Sequence, residues 1–173
     1  MSIVEDAKKG IITEEMKAVA AQEGVTEDFI RRGIASGQIV IPVSPYRKVK
    51  LCGIGGGLKT KVNCSVGTST DIVDVDMEVQ KVKAGERAGA DTIMELSTGG
   101  DFVEVRKRCI EATTLSVGSV PLYQAFIEAA RKDGAVIHMR EDDLFRITEE
   151  QARLGTNFMA IHTGVNRITL DRL

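Results

Sequence analysis

Four short runs of apolar and β-branched residues alternate with segments of helical periodicity from Leu58 onward. Short strands that are nearly all apolar are typical of a parallel sheet buried on both faces, and parallel neighbours need crossover connections, which are usually helices. The alternation therefore predicts an α/β fold with mutually parallel strands. The runs are KTKVNCSVG, ADTIMEL, LSVGSV and TNFMAIHTG, which place strands near residues 59–65, 90–96, 115–119 and 157–162.

Helix boundary signals support this alternation. Pro121 suits a first helical turn, and Thr148 with Gln151 has the spacing of a capping box within the last long helical segment. Glycines stand where C-terminal caps are expected, at Gly89, Gly134 and Gly155. The signals divide this part of the chain into successive βα units.

Two architectures share the alternation, an open doubly wound sheet and a (β/α) barrel. In a barrel the carboxyl ends of all strands share one mouth, where active sites are built, whereas a doubly wound sheet gathers its site at one switch point. A complete barrel has eight βα units in about 250 residues, so we expect the first half of a parallel (β/α) barrel, about four units. Polar or unusual residues recur at successive strand ends, at Asn63, Ser65, Met94, Glu95, Ser119, Tyr123, His162 and Thr163.

The first fifty residues have a different pattern. Apolar residues at helical spacing, interrupted by glycines, predict three short helices between Ile3 and Gly37, and QIVIP predicts a short strand that Pro42 ends. We therefore expect a helical N-terminal segment with a short strand over residues 1–50 and the half barrel over residues 51–173. The glycines of CGIGGG are interpreted as a linker or tight turn, because a phosphate-binding loop needs its glycines between a strand and a helix.

Composition excludes several classes of partner and site. No apolar run approaches the roughly 20 residues that a membrane helix needs, so no membrane partner is expected. The chain carries a net charge of −2 without a basic block, so no nucleic-acid partner is expected either. Three scattered cysteines suggest a reducing compartment rather than a disulfide framework, which predicts a cytoplasmic protein.

Two groups of residues resemble functional sites but have simpler interpretations. Asp71, Asp74 and Asp76 resemble a metal-binding triplet, yet they precede a helical segment, where acidic side chains favour the helix N-terminus electrostatically. His138 precedes the acidic helix start MREDDL and is interpreted as a structural or surface residue. No metal site is expected from either group.

Segments with more specific patterns follow one another along the chain: TEEMKAVAAQEGV, FIRRGIASGQIVIP, CGIG, GLKTKVN, GTSTDIVD, ADTIMELSTGGD, VPLYQA, EDDLF and FMAIHTGV. In this order they resemble the N-terminal region of the phosphomethylpyrimidine synthase (ThiC) family. The resemblance covers essentially the whole chain. It implies a homodimeric (β/α) barrel enzyme that rearranges aminoimidazole ribotide to hydroxymethylpyrimidine phosphate in thiamin biosynthesis.

The resemblance also implies cofactors. Members use S-adenosylmethionine and a 4Fe–4S cluster for radical chemistry, with a divalent metal such as zinc, and the family's cluster cysteines and metal-binding histidines lie in its later half. Cys52, Cys64 and Cys109 are too widely spaced to replace three neighbouring cluster cysteines. We therefore expect no cofactor or metal ligand in this chain, and no activity from these 173 residues alone.

Substrate contacts are implied at strand ends. Met94, Tyr123 and His162 match residues with which the family contacts the ribotide. Ser65 stands where the family carries an Asn, so a hydroxyl of shorter reach would make that contact. The loop STGGD is expected to leave room for a ligand, because glycines allow close backbone approach and the next helix begins with its positive dipole end. No catalytic residue is assigned.

Departures from the family pattern leave the product open. Together with Ser65, several changes beside the pocket would suit a paralogue that converts aminoimidazole ribotide into 5-hydroxybenzimidazole, the lower ligand of a cobamide. We favour the thiamin intermediate because that member is commoner. A third hypothesis is a non-catalytic half barrel that binds ribotide or a partner chain, as the missing cluster cysteines would allow. The further departures are Glu95, Ser119, Thr163 and Asn166.

Overall fold

The computed structural model describes residues 2–162, 164 and 166–171, so Thr163 lies outside the described residues. The helices are α1 (Ile3–Lys8), α2 (Glu14–Glu23), α3 (Glu27–Ala35), α4 (Val75–Arg87), α5 (Phe102–Glu111), α6 (Pro121–Asp133), α7 (Glu141–Arg153) and α8 (Arg167–Leu170), with a 3-10 turn at Val136–His138. The strands are β1 (Ile39–Val40), β2 (Ile54–Gly55), β3 (Asn63–Val66), β4 (Thr92–Glu95), β5 (Ser116–Ser119) and β6 (Phe158–Met159). Within the described ranges, no helix has the length and apolarity needed to cross a bilayer.

The four predicted strands form one parallel sheet in the order β3-β4-β5-β6. This order confirms the α/β prediction and the parallel pairing. The expectation that both faces are buried is confirmed for β4 and β5, which are buried at every position. It is wrong for β3, which exposes Asn63 and Ser65, because β3 is an edge strand of the sheet.

Successive side chains of a strand point to opposite faces, and this alternation divides the sheet. One face carries Val66, Ile93 and Val117, which form a buried core with apolar residues of α4 and α5 such as Val82 and Val105. On the other face Ser65, Met94 and Gly118 lie side by side across three strands in register. The helix-facing side therefore supplies the core, and the other side carries most of the predicted site.

The N-terminal layer has its own core, in which α1, α2 and α3 pack around residues such as Met16 and Ile30. Its three helices and the short strand β1 confirm the sequence prediction. The glycine-rich stretch differs from the expected linker, because β2 forms there and pairs antiparallel with β1. Gly55 allows this approach, since its φ is +152° and a Cβ would lie 2.1 Å from the Gln38 carbonyl oxygen. Leu58 also packs on this layer, and a domain division at residue 50 stays a prediction.

Helix ends follow the predicted signals with one exception. Gly134 ends α6 in the left-handed conformation, and Pro121 is the first residue of that helix, as predicted. The capping box at Thr148 and Gln151 is wrong, because Thr148 lies inside α7, which begins at Glu141. The Thr148 hydroxyl instead donates to the Leu144 carbonyl oxygen at 2.8 Å, a bond that Thr can make within a helix.

Candidate functional site

Ser65 and Met94 lie opposite each other in the register of β3 and β4. Ser65 is exposed, whereas Met94 is only 9% exposed. Both occupy the third position of a four-residue strand, close to its carboxyl end. A hydroxyl and a thioether therefore stand side by side on the face that α4 and α5 leave uncovered.

Tyr123 and His162 form a second pair. Tyr123 belongs to the first turn of α6, directly after β5, and His162 follows β6. Their rings stack with centroids 6.0 Å apart and planes inclined by 30°. Both side chains are exposed at the carboxyl ends of neighbouring strands. The structure thus brings the four predicted site residues together as two pairs, and their convergence on a single pocket stays a prediction.

Glu95 and Ser119 do not share the face of Ser65 and Met94. They are 1% and 0% exposed and point toward the helices, because each is one residue out of phase with the neighbour that faces the open side. Glu95 Oε1 accepts a hydrogen bond from the Ser97 amide at 2.7 Å. The expectation that these two strand-end residues line the mouth is therefore wrong, and their departures from the family pattern lie outside it.

The sequence analysis did not predict a buried polar network on the helix-facing side of the sheet. Arg106 Nε lies 3.0 Å from Glu95 Oε2, although the N–H is not aligned with that oxygen as a hydrogen bond requires. Both groups are almost fully buried, so we regard the contact as an ion pair. The same guanidinium donates to Gln124 Oε1 at 3.0 Å, and Gln151 Nε2 donates to the same oxygen at 2.9 Å. Gln151 Oε1 accepts from Ser119 Oγ at 2.7 Å.

A sequence signal for this network exists. In α5 the buried positions follow the helical period, and Arg106 interrupts an otherwise apolar stripe beside Val105 and Cys109. Gln151 follows Ile147 by one turn in α7 in the same way. A polar residue on an apolar stripe needs a buried partner, so it indicates a polar contact in the core.

The loops after β3 and β4 pack against each other. The Thr68 amide donates to Ser97 Oγ at 3.0 Å, and the Thr68 hydroxyl donates to the Gly99 carbonyl oxygen at 2.7 Å. A Cβ at Gly99 would lie 2.0 Å from the Ser69 carbonyl oxygen. The absence of a side chain at Gly99 thus lets the backbone of the loop after β3 pack against it. Asp101 caps α5 by accepting from the amides of Val103 and Glu104, so these two amides already have partners, and room for a ligand in this loop stays a prediction.

The acidic triplet and His138 have structural positions. Asp74 is the N-cap of α4 and accepts from the Met77 amide at 2.9 Å. Asp76 pairs with Arg108 at 2.6 Å, and His138 is exposed in the 3-10 turn. Within residues 2–162, 164 and 166–171, no three His, Cys, Asp or Glu side chains are grouped closely enough to hold a metal ion.

Two cavities lie away from the predicted site. One of about 340 Å³ is lined by Lys61 and Asp91, which precede β3 and β4 at the amino ends of the strands. In it Lys61 pairs with Glu23 of α2 at 2.9 Å and fastens the N-terminal layer to the sheet. A second, of about 500 Å³, lies between α2 and the connector, the segment of residues 41–53 between β1 and β2, around Arg47. Neither is lined by the four predicted site residues.

The family is decided by a match along nearly the whole chain. A family model described as the radical SAM ThiC family matches residues 2–173. The chain belongs to this family. It is 95% identical over 173 residues to a phosphomethylpyrimidine synthase of Methanospirillum hungatei. It is also 76% and 75% identical to the phosphomethylpyrimidine synthases of Methanoculleus marisnigri and Methanoregula boonei. In each case the whole chain is matched, and it spans 41% of the relative's length.

Membership of a radical SAM family raises the question of cluster ligands, because thiolates hold iron–sulfur clusters. Cys52 lies in the connector, Cys64 in β3 and Cys109 in α5, so the three thiols belong to separate elements. Burial raises the pKa of the Cys52 thiol and raises that of Cys109 to about 12. The neutral thiol is not the form that binds metal. These cysteines therefore do not fit a cluster site.

Proposed function

We propose that the protein containing this chain is a phosphomethylpyrimidine synthase, which rearranges aminoimidazole ribotide to hydroxymethylpyrimidine phosphate in thiamin biosynthesis. The observation that carries this proposal is the 95% identity over 173 residues to the phosphomethylpyrimidine synthase of Methanospirillum hungatei. The S-adenosylmethionine and the 4Fe–4S cluster of the reaction are held by other parts of the protein, as is a divalent metal such as zinc. The 173 residues alone are inactive.

The sheet is, in this proposal, the first half of a (β/α) barrel. Its support is the sequential strand order β3-β4-β5-β6, with α4 and α5 packed on one face and Ser65 and Met94 on the other. A hydroxyl and a thioether near the carboxyl ends of parallel strands suit a barrel that binds a ligand at its mouth. The homodimer and the cytoplasmic location remain predictions, the latter supported by three free cysteines.

The role proposed for this chain is to bind and orient the ribotide. Met94 offers an apolar surface, and Ser65 offers a hydroxyl beside it that can donate or accept a hydrogen bond. Tyr123 presents its hydroxyl while its ring rests on His162 at a centroid distance of 6.0 Å. A rigid aromatic pair of this kind loses little conformational entropy when a ligand binds, so it is suited to hold the substrate in one orientation.

The test uses the full-length protein with a reconstituted, reduced cluster, S-adenosylmethionine and aminoimidazole ribotide, with products identified by mass spectrometry. We expect the phosphorylated pyrimidine, and none from the 173 residues alone. Formation of 5-hydroxybenzimidazole would instead identify the cobamide paralogue. Ribotide binding without turnover by a protein with full cluster content would favour the non-catalytic binding module.

A further inference from the structure

The first turn of α6 carries Tyr123 but has no side-chain cap. Asp74 and Asp101 cap α4 and α5 by accepting hydrogen bonds from backbone amides of the first turn. Val120 precedes α6 and offers no such bond, and Pro121 follows it as the first helical residue. Because an uncapped helix start frays more easily, another contact has to hold the turn that presents Tyr123.

That contact is made by Gln124, the next residue, which is 2% exposed. Its Oε1 accepts from Arg106 at 3.0 Å and from Gln151 at 2.9 Å. Its Nε2 donates to Glu128 at 2.8 Å and to Glu150 at 3.0 Å. Two acceptor and two donor bonds are the full capacity of a side-chain amide. Rotating the amide by half a turn would set its NH₂ group against the Arg106 guanidinium, so only one orientation is compatible with the neighbours.

The partners of Gln124 connect the turn to the sheet. Arg106 of α5 is paired with Glu95 at the carboxyl end of β4, and Gln151 of α7 accepts from Ser119 at the carboxyl end of β5. Glu95 also accepts from the amide of Ser97, at the start of the loop that follows β4. The first turn of α6 is thus tied to both strand ends through buried hydrogen bonds and one buried ion pair.

We infer that Gln124 is a positioning residue that sets the orientation of Tyr123 through the first turn of α6. The inference rests on the proposed function, in which Tyr123 contacts the ribotide. Gln124 itself faces the helices, and Tyr123 is 36% exposed on the other side of the turn. The polar network therefore orients Tyr123 from the helix-facing side and does not contact the substrate.

The test replaces Gln124 by Met, which keeps the length of the side chain and removes all four hydrogen bonds, in the full-length protein. 3-Fluorotyrosine placed at position 123 reports the ring environment by ¹⁹F NMR, independently of turnover. We expect Gln124→Met to shift or broaden this resonance and to weaken ribotide binding about two- to tenfold, as the loss of one well-placed hydrogen bond would.

The matched control is Val82→Ala, which removes buried side-chain volume from α4 at a residue that is 0% exposed. It should lower the unfolding midpoint while the Tyr123 resonance and the ribotide affinity stay as in the unaltered protein. An unchanged Tyr123 resonance in Gln124→Met would overturn the inference, since Gln124 would then serve stability alone. A shifted resonance with unchanged ribotide affinity would overturn the claim that the positioning serves binding.

A second variant covers the case in which Gln124→Met fails to fold. Gln124→Glu keeps the shape and the two acceptor bonds but turns a carboxylate oxygen toward Glu128 and Glu150. Adding Glu128→Gln exchanges donor and acceptor within one of these hydrogen bonds. We expect the double variant to recover part of the Tyr123 resonance and ribotide affinity that Gln124→Glu loses, and no recovery would count against the inference.

Unchanged ribotide affinity in Tyr123→Ala would instead contradict the proposed substrate contact and leave the ¹⁹F test of positioning intact.

Discussion

The ring of Tyr123 stacks on the imidazole of His162 with a centroid separation of 6.0 Å. The contact joins the first turn of α6 to the segment after β6, and therefore links two successive βα units at the carboxyl ends of their strands. Neither ring is buried, so the pair contributes little to the core and its faces stay accessible to a ligand.

The first prediction concerns the Tyr123 hydroxyl. Tyr123→Phe keeps the ring and its stacking on His162 but removes the hydroxyl, so we expect ribotide binding to weaken by about 0.5 to 1.5 kcal/mol, the contribution of one neutral hydrogen bond. Titration calorimetry of the full-length protein with aminoimidazole ribotide, without S-adenosylmethionine, measures the change. Tyr46→Phe is the matched control, because Tyr46 is the other tyrosine of the sequence and is 56% exposed in the connector. Equal ribotide affinity for both variants would contradict the proposed contact.

The second prediction concerns the buried ion pair of Glu95 and Arg106. Arg106→Met leaves the Glu95 carboxylate buried without its counter-charge, so the free energy of unfolding should fall by about 3 to 5 kcal/mol. Urea unfolding measures the loss. The control is Arg108→Met, in the same helix, because Arg108 pairs with Asp76, whose side chain is 77% exposed. Such a surface pair contributes about 0 to 1 kcal/mol to the free energy of unfolding. Similar losses for the two variants would show that the buried pair stabilises the protein no more than the surface pair.

The third prediction concerns the contact of Gly118 with Phe158 on the open face. Phe158 is the register partner of Gly118 in the neighbouring strand. A Cβ at Gly118 would lie 2.2 Å from the Phe158 ring. Gly118→Ala should therefore destabilise the protein by about 1 to 3 kcal/mol through overpacking, measured by thermal or urea unfolding. Adding Phe158→Leu should recover part of the loss. Gly56→Ala serves as the control, because a Cβ there meets nothing within 4 Å, and a loss as large as that of Gly118→Ala would refute the steric explanation.

The fourth prediction is a pH dependence that arises from Cys109. Desolvation raises the pKa of this thiol from 9.0 to about 12, and the carboxylates of Glu95 and Glu78 add to the rise. Because the folded-state pKa lies above the unfolded value, the stabilising contribution of the protonated thiol is present below about pH 9 and is lost as the pH rises toward 12. The difference in unfolding free energy between the unaltered protein and Cys109→Ala should therefore shrink between about pH 8 and about pH 10.5. Lysine titration cancels in this difference, and a constant value would contradict the burial of the thiol.

Local sequence signals were sufficient for the strands of the parallel sheet and the helices between them, but they missed β2. The apolar runs predicted the four parallel strands, and Gly134 and Pro121 marked the limits of α6 because their backbone preferences act within a single turn. Thr148 shows the limit of such signals, since the same hydroxyl can cap a helix or bond to a carbonyl one turn back inside it.

The sequence by itself determined the order of the parallel strands and of the helices between them, the family, and which residues stand at the strand ends. Only the tertiary structure decided which face each strand-end residue takes: Met94 lies on the open face, whereas its neighbour Glu95 is buried against Arg106. The pleat makes adjacent residues face opposite sides, but helix packing chooses which side becomes the core. Likewise, Gln124 acquires its four partners only when three helices meet beneath the sheet, because those partners come from separate turns and separate elements of the chain.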